Sequence, residues 1–256
     1  MKILVAIKQV PARDSQLKID GAGRWIETED LAGEINEPDA YALEEALQLR
    51  EKHGGEVVAL CAGPARAGST IREALAKGAD RAIHIEEEDL SRFDILGLAR
   101  LLAKAVESEK PDLLLTGLQS DDLGYGQTGV VVAELLGMAS ATIIMQVEKT
   151  EAGIRVKREL EDGWFQHVDL PLPAALTIQS GINKLRYATL MGIKKAKTKE
   201  VKRLTAAELG VAGEPLARLE RLYPPERSKQ TVLIEGSARE QASKLVEILK
   251  HEVRVL

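Results

Sequence analysis

Four short apolar runs, at residues 3–7, 57–61, 82–85 and 113–116, alternate with stretches whose apolar residues recur at helical spacing. That alternation restricts the chain to a mostly parallel sheet covered by helices. Residues 38–53 read as a helix with Leu43, Ala46, Leu47 and the aliphatic stem of Arg50 on one side, and residues 69–77 as another, closed by Gly78. A longer helix over 93–107 carries Ile95, Leu98, Leu102 and Val106, and Pro111 ends its pattern. Residues 127–136, closed by Gly137, give one more helix. The pattern then changes to a period of two through 142–147, 154–160 and 175–179, with a turn at Glu151-Ala152-Gly153 and another at Asp162-Gly163. The expectation is a doubly wound α/β fold with a mostly parallel sheet, a β-hairpin region and an extended C-terminal arm.

Composition narrows the function. At 256 residues, 45% hydrophobic and 29% charged, the chain suits one large α/β domain or two small ones. It has no run of eighteen apolar residues, and its first apolar run returns to charge at Lys8, too soon for a signal peptide, so a soluble cytoplasmic protein is expected. Cys61 is the single cysteine, which excludes an internal disulfide, and His53, His84, His167 and His251 have no zinc spacing. A net charge of -5 argues against a general nucleic-acid binder. Residues 184–203 nevertheless hold eight basic residues and one acid, either a solvated basic loop or a docking surface for an acidic partner.

Chemistry concentrates in the stretch from Thr116 to Gly129, where four glycines and several small polar residues run from the fourth strand into a helix. Open amides at a helix N-terminus make a phosphate-binding nest, and open α/β sheets hold ligands beyond the C-terminal ends of their strands. The alternative is a tight loop that needs glycine for positive φ. Residues 124–129 match the dinucleotide fingerprint only literally, several residues past the strand, and no Gly-Lys-Ser/Thr is present. Asn36-Glu37-Pro38-Asp39 reads as a helix start, capped by Asn36 or Glu37, that could also face a ribose or base. Cys61 lies inside an apolar strand and reads as inert, and His167 reads as a surface or packing histidine. Without a nucleophile or acid–base set, binding or carrier function is favoured over catalysis. Toward the C-terminus, Thr205 with Glu208 and Ser237 with Glu240 are capping boxes, each opening a helix, and Tyr223-Pro224-Pro225-Glu226 between them reads as an extended arm.

Several segments together resemble the electron transfer flavoprotein beta subunit over essentially the whole chain. They are KILVAIK at 2–8; residues 36–47 ending in ALEEAL; ALAKGADRA at 74–82; Gly117-Leu118-Gln119 with Asp122 and Gln127-Thr128-Gly129; Arg158-Glu159-Leu160; PAALT at 173–177; and NKLRYATL at 183–190. Ile234-Glu235-Gly236 in the C-terminal arm is most similar to the branch known from methylotrophic bacteria. The resemblance implies a heterodimer with an alpha subunit, one FAD held mainly by that subunit, and an AMP buried in the beta subunit. Its AMP contacts would fall on Ala6, Asn36, Glu37, Pro38, Asp39, Ala62, Gly117, Gln119, Ser120, Asp121, Asp122, Leu123, Gly124, Tyr125, Gly126, Gln127 and Thr128. Glu159 matches a family carboxylate near the flavin, and Arg13 stands where some members place a tyrosine against the flavin ring. Residues 184–200 would be the partner-recognition loop, with Leu190 as apolar anchor and Tyr187, Lys194 and Lys195 beside it, facing flavin-dependent dehydrogenases; a quinone reductase would accept the electrons. Leu185 stands where the family usually has proline. The resemblance divides the chain into an AMP-binding domain at 1–203 and a C-terminal helical arm at 204–256 at the subunit interface. A beta subunit holding a second FAD, as in electron-bifurcating members, and a stand-alone adenine-nucleotide-binding protein are the alternatives.

Overall fold

A computed structural model describes residues 1–225 and 231–255. They form two units, residues 1–220 and 221–255. The first contains a nine-stranded sheet built from β1 (Lys2–Ala6), β4 (Glu56–Gly63), β5 (Arg81–Glu86), β6 (Leu113–Gly117), β7 (Ala139–Lys149), β8 (Ile154–Glu159), β9 (Phe165–Leu170), β10 (Ala174–Ile178) and β11 (Val201–Leu204). A separate antiparallel ribbon joins β2 (Gln9–Pro11) to β3 (Gly33–Ile35). The order across the large sheet is β11-β5-β4-β1-β6-β10-β7-β8-β9. The first seven are parallel, and β8 and β9 extend the sheet as an antiparallel hairpin.

Both faces of the sheet are covered, which is why its strands read as continuous apolar runs rather than as alternating ones. Ile3, Val5, Val57 and Ala59 point to one face, against Leu43 and Leu47 of α1 (Glu37–His53) and Ile71 and Leu75 of α2 (Gly68–Lys77). Leu4, Val58, Leu60 and Ile83 point to the other, against Leu101, Leu102 and Val106 of α3 (Ile95–Glu109) and Val132 of α4 (Thr128–Leu135). Each such Leu, Ile or Val removed from water contributes about 1.5–3 kcal/mol. The fold is the doubly wound α/β arrangement expected from the sequence.

Three local expectations are corrected. Residues 190–196 are a helix, α5 (Leu190–Ala196), rather than part of a loop, capped by Thr189 Oγ1 accepting from Gly192 N at 3.0 Å. Thr205 and Glu208 make the reciprocal bonds of a capping box, but the chain closes as a turn instead of a helix and leaves through Gly210 at φ 67. Asn36 sits at the N-cap of α1 yet makes no capping bond with its side chain. The sequence boundary after Arg203 falls within β11, which pairs with β5 from Val201 to Leu204. In the second unit, Ser237 and Glu240 form the expected capping box at the head of α6 (Ala238–Ile248). The extended-arm reading at 223–226 lies partly outside the described residues; residues 221–225 hold no regular structure.

At the N-terminal edge of the sheet, Glu109 receives Arg81 Nη2 at 2.6 Å and Lys2 Nζ at 3.0 Å, while Arg81 Nε also reaches Glu56 at 2.8 Å. The Arg81 hydrogen bonds, helped by Lys2 and opposed by burial, hold the Glu109 carboxyl down at about 2 from its ordinary 4.5. A depressed carboxyl stabilises the fold above its unfolded value and loses that contribution as pH falls toward the folded one. Glu109→Gln is therefore expected to lower stability by about 1–2 kcal/mol at pH 7, allowing for partial solvent screening, and by progressively less as pH falls from about 4.5 toward 2. Urea midpoints of both proteins across that range would show it; a difference independent of pH would refute the assignment.

Candidate functional site

The order in which strands are added reverses at β1. From it the strands step through β4 and β5 on one side and through β6 and β10 on the other. The crevice beyond the C-terminal ends of β1 and β6 is the switch point at which open α/β sheets accommodate ligands. Ala6 closes β1 and Gly117 closes β6, while Ala62 lies near the end of β4.

Asp39, in the first turn of α1, spans this crevice. Its Oδ2 accepts from Lys8 N and its Oδ1 from Gly117 N, each at 2.8 Å, so one carboxylate ties together the chain after β1, the start of α1 and the end of β6. Burial pushes its carboxyl up to about 7, against the lowering effect of those amides, of Asn36 and of the Lys8 charge. The same burial, with Asp39 nearby, pushes the Cys61 thiol up to about 12, so Cys61 is unsuited to nucleophilic chemistry.

The loop after β6 is stitched to the same place. Asn36 is 1% exposed, and its carboxamide donates to Gln119 O at 2.9 Å and accepts from Asp121 N at 2.8 Å. Both ends of the carboxamide are spent on the loop, which explains why Asn36 does not cap its own helix. Glu37 N donates to Asp121 Oδ2 at 3.1 Å. Lys8 Nζ donates to Asp122 Oδ1 at 2.6 Å and reaches Ser120 Oγ at 3.4 Å. Gly124 N donates to Ser120 O, folding the loop tip back on itself. The two aspartates thus face inward and hold the loop in shape.

Gly124 and Gly126 have φ of 65° and 63°, the left-handed region that the loop's curl demands and that glycine adopts without strain. The loop then enters α4, whose first turn receives no side-chain cap, which leaves its first amides without a side-chain partner. Leu123 and Tyr125 are exposed on the loop tip. Gly129 is buried where α4 crosses the sheet: a Cβ there would strike Thr116 Oγ1 and come within 3.0 Å of Thr177. An uncapped N-terminus beside positive-φ glycines and an ammonium group is an arrangement for an anion.

The structure gathers the residues at 36–39 and 117–128 with Ala6 at one sheet edge, and Arg13 joins them through an ion pair with Glu37. Glu159, at the end of β8, accepts from Gln179 Nε2 at 3.3 Å, and Gln179 follows Ile178, the residue that pairs with Gly117 at the end of β6. Tyr187, Leu190, Lys194 and Lys195 lie on another surface, on and before α5, which packs on α2. Tyr187 is 93% and Leu190 87% exposed. The basic segment is less free than its composition implies. Arg186 is held by Glu44 and Glu51, Lys199 donates to the carbonyls of Leu75 and Ala79, and Arg203 pairs with Glu86. Lys8 was missed as a site residue by sequence reasoning; its place two residues beyond the first strand was the available signal.

No helix among the described residues is long and apolar enough to cross a membrane. A family model for the electron transfer flavoprotein domain matches residues 24–209. Among similar proteins, the electron transfer flavoprotein subunit beta of Methylophilus methylotrophus is 37% identical over 259 residues, covering 97% of this chain and 98% of that protein. That of Bradyrhizobium diazoefficiens is 38% identical with 100% of both chains covered. The human protein of the same name is 38% identical over 214 residues, covering 82% and 84%.

Proposed function

The chain belongs to the electron transfer flavoprotein family, alongside proteins named as its beta subunits, and from this premise we propose that it buries an AMP, pairs with an alpha subunit and docks dehydrogenases that donate electrons. The observation that carries the nucleotide reading is the convergence of the stretch 36–39 and the glycine loop on the β1/β6 crevice, through Asn36, Asp39 and Lys8. The residues fit an adenine mononucleotide. Gly124 and Gly126 leave their curled backbone open, with nothing within 4 Å of where a Cβ would stand at Gly124. The uncapped start of α4 and Lys8 supply donors for a phosphate, and Ala6 and Ala62, both half-buried, bring only a methyl group each to the strand ends where a base would lie.

FAD, held mainly by the alpha subunit, supplies the redox chemistry when bound. This chain would complete its site from Arg13 and Glu159, carry no catalytic residue of its own, and present Leu190 as the apolar contact to a donor. Lys194 and Lys195 flank that contact and would speed encounter with an acidic partner. A quinone reductase is the proposed acceptor.

Co-purification with the alpha subunit, followed by denaturation and identification of the released nucleotides by chromatography and mass, tests this directly. One FAD and one AMP per heterodimer is the expected result. Two FAD and no AMP would replace it with the electron-bifurcating reading, and ATP or NAD from a chain without a partner would leave a stand-alone nucleotide-binding protein.

A further inference from the structure

The core-facing side of the β8–β9 hairpin continues beyond the core. Along it Ile154 and Val156 of β8 are buried, and Val168 and Leu170 of β9 are half-buried against the same cluster. Strand alternation brings Arg158 and Leu160 to that side, and with them Gln166 and Trp164. Arg158 is opposite Gln166, and one step further along the ladder Leu160 N donates to Trp164 O at 2.9 Å. Leu160 and Trp164 both keep extended backbone, so the alternation holds to the tip. There the apolar side is no longer covered: Leu160 is 41% and Trp164 72% exposed.

Arg158 stands between the covered and the uncovered parts. Its Nε is buried and has no hydrogen-bond partner among the described residues. The neighbouring cations of β8 are engaged on the opposite side of the sheet: Arg155 Nε and Nη2 each meet an oxygen of Asp169 at 2.8 Å, and Lys157 Nζ lies 3.8 Å from the centre of the Phe165 ring. A guanidinium N–H that water does not reach needs an acceptor from elsewhere, and a carboxylate, which accepts from two of its N–H groups at once, matches its planar fork. An arginine beside a large exposed aromatic is also the composition of an interface hot spot. We propose that this side of the hairpin tip docks the alpha subunit, which presents a carboxylate to Arg158 and an apolar side chain to Leu160 and Trp164. The alpha subunit is the occupant because Glu159, the next residue of β8, belongs to the flavin site in the function proposed above, and the flavin is held mainly by that subunit. The inference rests on that reading.

Sedimentation of the full chain with FAD-loaded alpha subunit measures heterodimer formation, and urea denaturation of the full chain alone measures its stability. Trp164→Ala is expected to weaken the heterodimer at least about 30-fold, and Arg158→Met about 10- to 100-fold, the losses of a hot-spot aromatic and of a charge-assisted hydrogen bond. Arg158→Lys, which keeps the charge but not the planar fork, should recover only part of that loss. Alone, Arg158→Met and Trp164→Ala should unfold at the urea midpoint of the parent or above it, because Arg158 Nε has no partner to lose and Trp164 is largely exposed. A chain destabilised by Arg158→Met would assign that arginine to the fold and overturn the proposal. So would a heterodimer that forms equally well with both variants, whether or not reduction by a donor slows. In that case the heterodimer itself would stand; failure of the unaltered chain to associate with the alpha subunit would remove that reading and this inference together.

Discussion

Gly117→Ala is expected to lower stability by about 3 kcal/mol, the upper part of the usual range for forcing a group into a close-packed interior. A Cβ at this position would stand 2.7 Å from both Asp39 N and Pro38 Cβ, and nearer still to the Asp39 carboxylate. Two of these atoms belong to the first turn of α1, so no rotamer change relieves them. Relief requires either that α1 withdraw, breaking the bond from Lys8 to Asp39, or that the end of β6 leave its register with β10, where Gly117 faces Ile178. Gly124→Ala provides the contrast. Nothing crowds that position, and its φ of 65° should cost only about 1–2 kcal/mol. Denaturant unfolding of both variants would compare them, and a Gly117→Ala protein within about 0.5 kcal/mol of the parent, the range of ordinary surface changes, would refute the close approach.

The closeness of β6 to α1 also shows where sequence reading reaches its limit. The parallel strands were legible because burial on both faces makes them apolar without alternation, and the helices between them because their apolar residues keep one period. Short elements carry no such record. The ribbon of β2 and β3 is two strands of three residues each, held where Gln9, Val10 and Pro11 meet residues far along the chain. Helix α5 has Gly192 in its middle, which weakens helix propensity, yet it forms because Gly192 lets it lie against the carbonyl of Ala76 in α2. The box at Thr205 and Glu208 is the converse: the local signal is intact, but Gly210 turns the chain before a helix can propagate.

The candidate site was legible to the same extent. Glycines in a strand-to-helix loop, and a polar helix start at the same sheet edge, follow from topology. That Asp121 and Asp122 would turn inward does not, because their partners, Glu37 and Lys8, lie more than eighty residues away in sequence. Likewise the excess of positive charge at 184–203 suggested a free surface, whereas Arg186 belongs to the interior of an ion-pair cluster and only part of the segment remains available to a partner.

That cluster carries the second large effect. Arg186→Ala is expected to lower stability by about 2–4 kcal/mol, because it strands Glu44, whose side chain is 5% exposed. Arg186 makes two bonds to Glu44, at 2.7 and 3.0 Å, and two to Glu51, at 2.6 and 3.2 Å. Asn183 adds bonds to Tyr41 O and Glu45 from the same stretch of chain. Pairing with both carboxylates holds the Arg186 proton more tightly than usual, and Arg186 keeps the carboxyl of Glu51 below its ordinary range. If the loss comes from an unpaired buried carboxylate, replacing both partners should restore much of it: Arg186→Met with Glu44→Leu should recover to within about 1 kcal/mol of the parent. Leu190→Ala, at a position 87% exposed, should change stability by less than about 0.5 kcal/mol. Urea denaturation of these variants separates the contributions, and an Arg186→Ala protein as stable as Leu190→Ala would refute the clamp. The consequence for docking is geometric. Arg186 immediately precedes the exposed Tyr187 and ties it to α1, while Gly192 seats α5 on α2, so the exposed Leu190 between them is presented on a braced segment. A braced anchor loses less conformational freedom when it is captured. If this surface docks a donor dehydrogenase as proposed, Arg186→Ala and Leu190→Ala should both slow reduction by it, but only Arg186→Ala should do so with loss of stability.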